Sequence, residues 1–473
     1  MNGHEDAAIG SQEDAVRYYR DLFKSLVASR KCIVAMGPIG SASALVKLLR
    51  DLGSEPPLVL TDGPSHISPD ATELNCHSIV VEPSGDSLSS LRQYAMGLQS
   101  PPPEVLRIIE DYDCDKTALV FVTNLIDIEA VAGRPRYDAR KQEWIDLENK
   151  TVIDSFWDST HIERAPSTVI SPEISITRKI ARDLDQGLGT AWAGDNRGGN
   201  HFGACLFRWV RTEDQLREAC EFFRRHCDFV RIMPFLEGLP CSIHGMVFQN
   251  ELAIFRPVEI IVLRLANCPK LSYAGTATFW DPSPFDRRTM RNVARSVGNK
   301  LREVLGYRGF FNVDGIMTSG GFIPTELNTR MTGGATLLGA SLPDLPLTLV
   351  DAAVRRGEAF DFRPSVLERL VLNAADVRRR GGATYQCEVT FSNFRTLPIA
   401  DDGERCHPTE NREASAWLSV GPSGKGGFLG FHPINDRIPI GLPFTPLVVR
   451  AFAAADKIFG TRIGRLEAAK LVR

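Results

Sequence analysis

The stretch 309–334, GFFNVDGIMTSGGFIPTELNTRMTGG, restricts the fold of this chain more than any other. Two short apolar runs, 309–317 and 322–329, flank Ser319-Gly320-Gly321, a turn signal for a β-hairpin. Side chains alternate faces along a strand. Asn312 and Asp314 therefore share one face of the first strand, and Glu326, Asn328 and Arg330 share one face of the second. A three-residue turn at 319–321 pairs position 314 with 326 and 312 with 328, whereas a two-residue turn sends Asp314 and Glu326 to opposite faces. In the first register two carboxylates and an asparagine gather on one side, with an arginine behind them. Such an oxygen cluster needs neutralising. Mg²⁺, a hard cation that takes oxygen ligands and shares them with nucleotide phosphates, suits it. A solvated hairpin face with unrelated polar residues is the competing reading.

Elsewhere the sequence is that of an ordinary globular protein. Its 473 residues allow about three domains. With 43% apolar residues, 24% charged residues and a net charge of −3, nothing suggests a nucleic-acid surface. The opening MNGHEDAAIGSQEDA is acidic and polar, the reverse of a signal peptide, and no apolar run approaches ~18 residues, so no membrane partner is expected. Ten cysteines without a C-x-x-C pair fit reduced thiols in the cytoplasm.

Periodicity gives an α/β organisation. A helix over 13–29 precedes a buried strand at 31–36, the tight turn Gly37-Pro38-Ile39-Gly40 and a helix over 41–52. Strand-like runs at 58–61, 78–82 and 117–123 alternate with helical patterns at 86–98 and 104–111, which predicts a parallel sheet in a domain covering 1–165. Beyond the linker prolines 166 and 172 come a helix over 173–186, short strands at 190–193 and 204–210 around a glycine-rich stretch, and a helix opened by Thr212 and Gln215. Strands follow at 228–235, 241–248 and 252–263, and then a helix over 286–305 stopped by Gly306. The tail beyond 380 is rich in Gly, Pro and Phe, with a last helix over 446–459. His244 reads as a satisfied polar residue on a strand, and Gly421–Gly427 misses the P-loop spacing.

Asp314 followed twelve residues on by Glu326, then Asn328 and Arg330, resembles the metal-binding hairpin of the ATP-grasp ligases. The strings GDNRGGN and NVDG…TELNTR, with the tail that follows, most resemble the pheganomycin-type peptide ligases of that superfamily. The resemblance implies an ATP-grasp fold with an amino-terminal parallel α/β domain (1–165), a lid (166–250), a metal and substrate region (251–375) and a small carboxyl-terminal α+β domain (376–473). It implies ATP and Mg²⁺ as cofactors, with Asp314, Glu326 and Asn328 as metal ligands and Arg330 facing the transferred phosphoryl group. The lid loop Gly194–Gly203, with Arg197, Gly198 and Gly199, would close over phosphates, since glycines bring backbone N–H groups close and arginine adds charged donors. Met233, Phe235 and Leu236 fall on the hinge that reads adenine, with plain core packing as the competing role.

Three positions depart from the family pattern. No lysine lies between Lys179 and Lys270, so Arg197 or Lys179 would contact phosphate. Pro240 stands where a ribose-binding glutamate is common, leaving Glu237 as the substitute. Asn312 replaces an arginine two residues before the first metal acid. Arg256 is the candidate for a substrate carboxylate, with a salt bridge to Glu259 as the alternative. The implied reaction is attack of a carboxylate on the γ-phosphorus of ATP, then of an amine on the acyl phosphate. The expected partners are an amino-acid carboxylate donor, here a nonproteinogenic and guanidino-bearing one, and a peptide amine acceptor; a homodimer is compatible with the sequence. A dipeptide ligase of the same fold and a nucleotide-binding protein without turnover are the rival readings.

Overall fold

Four short runs build the first sheet. β1 (Cys32–Ala35), β2 (Leu58–Thr61) and β4 (Leu119–Val122) are buried along their whole length, as strands covered on both faces must be, while β3 (Asn75–Ser78) is a more exposed edge. The strands are parallel in the order β3-β2-β1-β4, connected through α2 (Ile39–Asp51), α3 (Ser87–Gln99) and α4 (Pro103–Tyr112), with α1 (Gln12–Val27) leading in. The third strand, Asn75–Ser78, pairs in register with Leu58–Thr61, and residues 80–82 of the expected run 78–82 lie outside the described residues. A two-stranded ribbon, β5 (Ala130–Val131) and β6 (Arg134–Pro135), follows. This computed structural model describes residues 11–37, 39–62, 75–79, 87–195, 204–266, 268–423 and 426–473. Among them no helix is long and apolar enough to cross a membrane. The chain divides into two compact units, one of residues 1–141, 248–251 and 342–370, the other of 142–247, 252–341 and 371–473.

The second unit begins with α5 (Gln142–Ile145) and α6 (Ile153–Ser159) and contains two antiparallel sheets. The smaller comprises β7 (Thr168–Ile170), β8 (Thr190–Gly194), β9 (Phe207–Val210) and β10 (Val230–Pro234), in the order β7-β10-β8-β9. Helices α7 (Ile174–Leu184) and α8 (Glu213–His226) contribute Ala181, Leu216 and Phe223 to a core with Trp192, Val230 and Ile232. The Thr212 hydroxyl accepts from Gln215 N and caps α8, as the capping signature predicts.

The larger sheet is built on β11 (Leu239–Val247), β12 (Leu252–Leu265), β13 (Leu271–Ala277), β14 (Gly309–Thr318) and β15 (Gly321–Asn328). Strands β16 (Gly381–Cys387), β17 (Arg395–Asp401), β18 (Cys406–Pro408), β19 (Ala416–Pro422) and β20 (Gly427–Pro433) extend it beyond β13, and β21 (Leu466–Glu467) pairs with β12. Helix α9 (Pro284–Leu305) buries Met290, Ala294, Val297 and Leu301 against Cys241, Ile243, Val247, Phe311 and Val313. Alternation therefore turns Ser242, His244, Asn312 and Asp314 to the opposite face of the sheet. Helices α10 (Gly333–Ala340), α11 (Leu347–Arg356), α12 (Pro364–Val377) and α13 (Thr445–Phe459) complete the chain.

Candidate functional site

The hairpin pairs Asp314 with Glu326 and Asn312 with Asn328, but by a different device from a three-residue turn. The turn has two residues, Ser319 and Gly320, because Thr318 opposes Gly321. Left alone, that turn would put the two acids on opposite faces. A β-bulge between Asp314 and Gly315 inserts Thr325 and restores the pairing. The Thr325 hydroxyl donates to the Asp314 carbonyl at 3.2 Å. Gly315 is required here, since a Cβ would lie 2.3 Å from the Ile323 carbonyl oxygen.

Pairing with β11 extends the hairpin into two rows on one sheet face, Ser242–Asp314–Glu326 and His244–Asn312–Asn328. Asn312 Nδ2 donates to Asp314 Oδ1 at 2.5 Å and to Ser242 Oγ at 3.1 Å, while Asn328 Nδ2 donates to Asp314 Oδ2 at 3.1 Å. Even so, burial and then the Glu326 charge push the Asp314 carboxyl up to about 7. Asn312 Oδ1 and Asn328 Oδ1 are buried with no hydrogen-bond partner among the described residues. The arrangement thus offers two carboxylates and two unengaged amide oxygens, a hard donor set that fits Mg²⁺. Among the described residues no cluster of three or more His, Cys, Asp or Glu side chains forms.

Two residues that pattern reasoning missed belong to the same site. Lys150 Nζ pairs with Glu326 Oε1 at 3.0 Å, and buried Glu148 pairs with Arg330 and accepts from Thr329 N at 3.0 Å. Glu148 precedes Arg330 by 182 positions, so no spacing rule links them. Its only local hint is the polar run Glu148-Asn149-Lys150 after the apolar Trp144-Ile145.

The expected hinge residues meet in one cluster. Met233 and Phe235 are buried with Ala165 and Ala191 against Leu236, Trp209, Leu271 and Ile323, a contact that joins the small sheet to the large one. Trp209 stacks on Phe235 with ring centroids 4.0 Å apart. Glu237 is held by both terminal nitrogens of Arg264, at 2.9 and 2.8 Å, and accepts from Lys470 N at 3.0 Å. Burial alone would raise its pKa, but these bonds outweigh burial and hold it below the usual range.

Of the other candidates, none among the described residues bonds to the oxygen cluster. Lys179 is exposed on α7, and Arg197, Gly198 and Gly199 lie outside the described residues. Arg256 is buried, bonded to Asp281 at 2.7 Å, to the Trp280 carbonyl at 2.9 Å and to Asp376. It does not pair with Glu259, whose carboxylate accepts from Phe444 N and Thr445 N instead. His244, neutral because burial pushes its pKa down to about 3, has Nε2 3.1 Å from Thr332 Oγ1, while its Nδ1 has no partner among the described residues.

No protein-family model matches the chain, and no curated protein matches it in sequence. Solved structures do match. The biotin carboxylase domain dimer of Hydrogenobacter thermophilus 2-oxoglutarate carboxylase, solved with MgADP, ADP and bicarbonate, aligns with 93% of this chain and 91% of its own at TM-score 0.51 and 10% identity. Phosphoribosylamine–glycine ligase from Thermotoga maritima aligns over 90% and 96% at 0.50 and 13%. N5-carboxyaminoimidazole synthase from Aspergillus clavatus, solved with ADP and 5-aminoimidazole ribonucleotide, aligns over 86% and 96% at 0.50 and 12%. This chain has the ATP-grasp fold. The strands β14 and β15 form the hairpin that the sequence pattern predicts over 309–329.

Proposed function

We propose that the chain is an ADP-forming ATP-grasp ligase that joins a carboxylate to an amine. The observation that carries this reading is the bulged hairpin, which sets Asp314, Glu326 and Asn328 on one face with Lys150 against Glu326. Two of the similar structures were solved with ADP, one of them also with MgADP, which agrees with the nucleotide and metal this donor set suits. Mg²⁺ held by Asp314, Glu326 and Asn328 would neutralise phosphate charge during transfer. Lys150 and Arg330, each paired with a carboxylate here, supply cations around that charge; Lys150 stands in for the lysine missing from the lid strand. Adenine would lie at Met233, Phe235 and Leu236, and the lid residues Arg197, Gly198 and Gly199 would close over the phosphates. Arg256 reaches a substrate carboxylate only by exchanging Asp281 or Asp376 for it.

The finer reading is a peptide ligase. Its donor is the carboxylate of a nonproteinogenic, guanidino-bearing amino acid and its acceptor the amino terminus of a peptide, as in antibiotic biosynthesis. The resemblance of GDNRGGN and NVDG…TELNTR to the pheganomycin-type group supports it. Phosphate release from Mg-ATP across a matrix of carboxylates and amines, short peptides and guanidino amino acids included, tests both levels. Release that needs both partners, with a product mass equal to their sum less water, establishes the ligase and names the donor. ATP binding without release from any pair would leave a nucleotide-binding protein in its place.

A further inference from the structure

Tyr273 on β13 is unlike the other polar groups around the hairpin, because its hydroxyl makes no hydrogen bond among the described residues although the residue as a whole is 53% exposed. It shares the sheet face that carries the two acidic rows. A Cβ built on Gly333 would lie 2.8 Å from the Tyr273 hydroxyl, so the phenol stands at the amino terminus of α10. Desolvation and then the Asp314 charge push the phenol up to about 12, which keeps it a neutral donor.

The start of α10 is itself unusual. Its cap residue, Thr332, makes no side-chain bond to the first turn; its hydroxyl is bonded to His244 instead. The first N–H groups of the helix therefore receive no capping acceptor from Thr332 and carry the positive end of the helix dipole. His244, only 1% exposed, packs against this turn so tightly that a Cβ on Gly334 would fall 2.4 Å from its ring, and its Nδ1 is unpartnered among the described residues. A phenolic donor without a partner among the described residues, the first turn of α10 and a buried imidazole with one unpartnered nitrogen thus meet on the sheet face that carries the acidic rows.

We propose that Tyr273 is a catalytic residue that donates a hydrogen bond to the acyl oxygen of the acyl phosphate when the amine attacks. The proposal rests on the ligase reading above. In that step the amine nitrogen bonds to the acyl carbon and the carbonyl electron pair collects on oxygen. The pair returns as the carbon–oxygen bond to phosphate breaks, phosphate leaves with the bonding electrons, and the proton shed by the amine ends on phosphate. Negative charge on the acyl oxygen rises only in this transition state, so a donor fixed there favours the transition state over the bound acyl phosphate.

Tyr273→Phe removes the donor and leaves the ring, and no intramolecular hydrogen bond among the described residues is lost. Amine-dependent turnover should fall roughly 100-fold with the KM for ATP unchanged. Acyl phosphate formation, read by positional isotope exchange in isotope-labelled ATP with the carboxylate alone, should stay at the wild-type rate. Equal losses in both reactions, or wild-type turnover in the variant, would overturn the assignment. Failure of wild-type protein to release phosphate with any pair would sink the ligase reading itself, and this role with it.

Discussion

Asp314→Asn should make the metal-free protein more stable at pH 8 and no more stable at pH 4. The carboxyl's pKa rises from 3.8 to about 7, mainly through burial and then through the facing Glu326. Below pH 4 the folded and unfolded chains both hold the proton and the carboxyl costs nothing. As pH rises from 4 to 7 the unfolded chain loses its proton first, so stability falls until the folded carboxyl also ionises. At 1.36 kcal/mol per pH unit the full gap bounds the cost at about 4 kcal/mol. Water reaches Asp314, which is only partly buried, and Lys150 offsets some repulsion through Glu326, so about 1–3 kcal/mol is expected. Asparagine should fit the gap. It keeps one acceptor for Asn312, and Asn328 can rotate its unpartnered Oδ1 toward the new amide N–H. Thermal melts at pH 4 and pH 8, each with EDTA and with Mg²⁺, measure the effect. Mg²⁺ should raise the wild-type melting temperature at pH 8 and leave the variant unmoved. A variant no more stable than wild type at pH 8 without metal, or equally stabilised at both pH values, would refute the charge-repulsion argument.

Glu326→Gln should abolish Mg²⁺-dependent turnover while circular dichroism shows a folded protein; wild-type turnover with intact Mg²⁺ dependence would remove Glu326 from the metal site. Deleting Thr325 takes out the bulge residue and its bond to the Asp314 carbonyl but keeps Glu326 opposite Asp314, so Mg²⁺ should still raise the melting temperature; loss of that response would show that the bulge itself shapes the donor set. His244 is neutral in the fold but titrates near 6.5 when unfolded, so it should cost about 1.4 kcal/mol of stability per pH unit as pH falls from 6.5 toward 3. Urea midpoints across that range should fall less steeply in His244→Gln than in wild type.

Much of the local structure is legible in the residues themselves. The runs 58–61 and 252–263, the Thr212–Gln215 cap and the helix ending before Gly306 lie where their patterns place them, because apolar periodicity and capping are decided within a few residues. The acidic pair was legible too, since alternation on two adjacent strands leaves only two registers to choose between. The device that chose was not: a two-residue turn corrected by a bulge at Thr325 depends on how β15 lies against β14, and Gly315 shows its purpose only where the Ile323 carbonyl crowds it. Lys150 and Glu148, far from the hairpin in sequence, reach Glu326 and Arg330 only through packing within the second unit. The sequence by itself determined the elements and the acids of the hairpin, because hydrogen bonding and burial along one strand or helix are short-range. The tertiary structure alone decided which charges face one another, because electrostatic partnership depends on distance in space, and the chain brings together groups whose separation in sequence carries no signal.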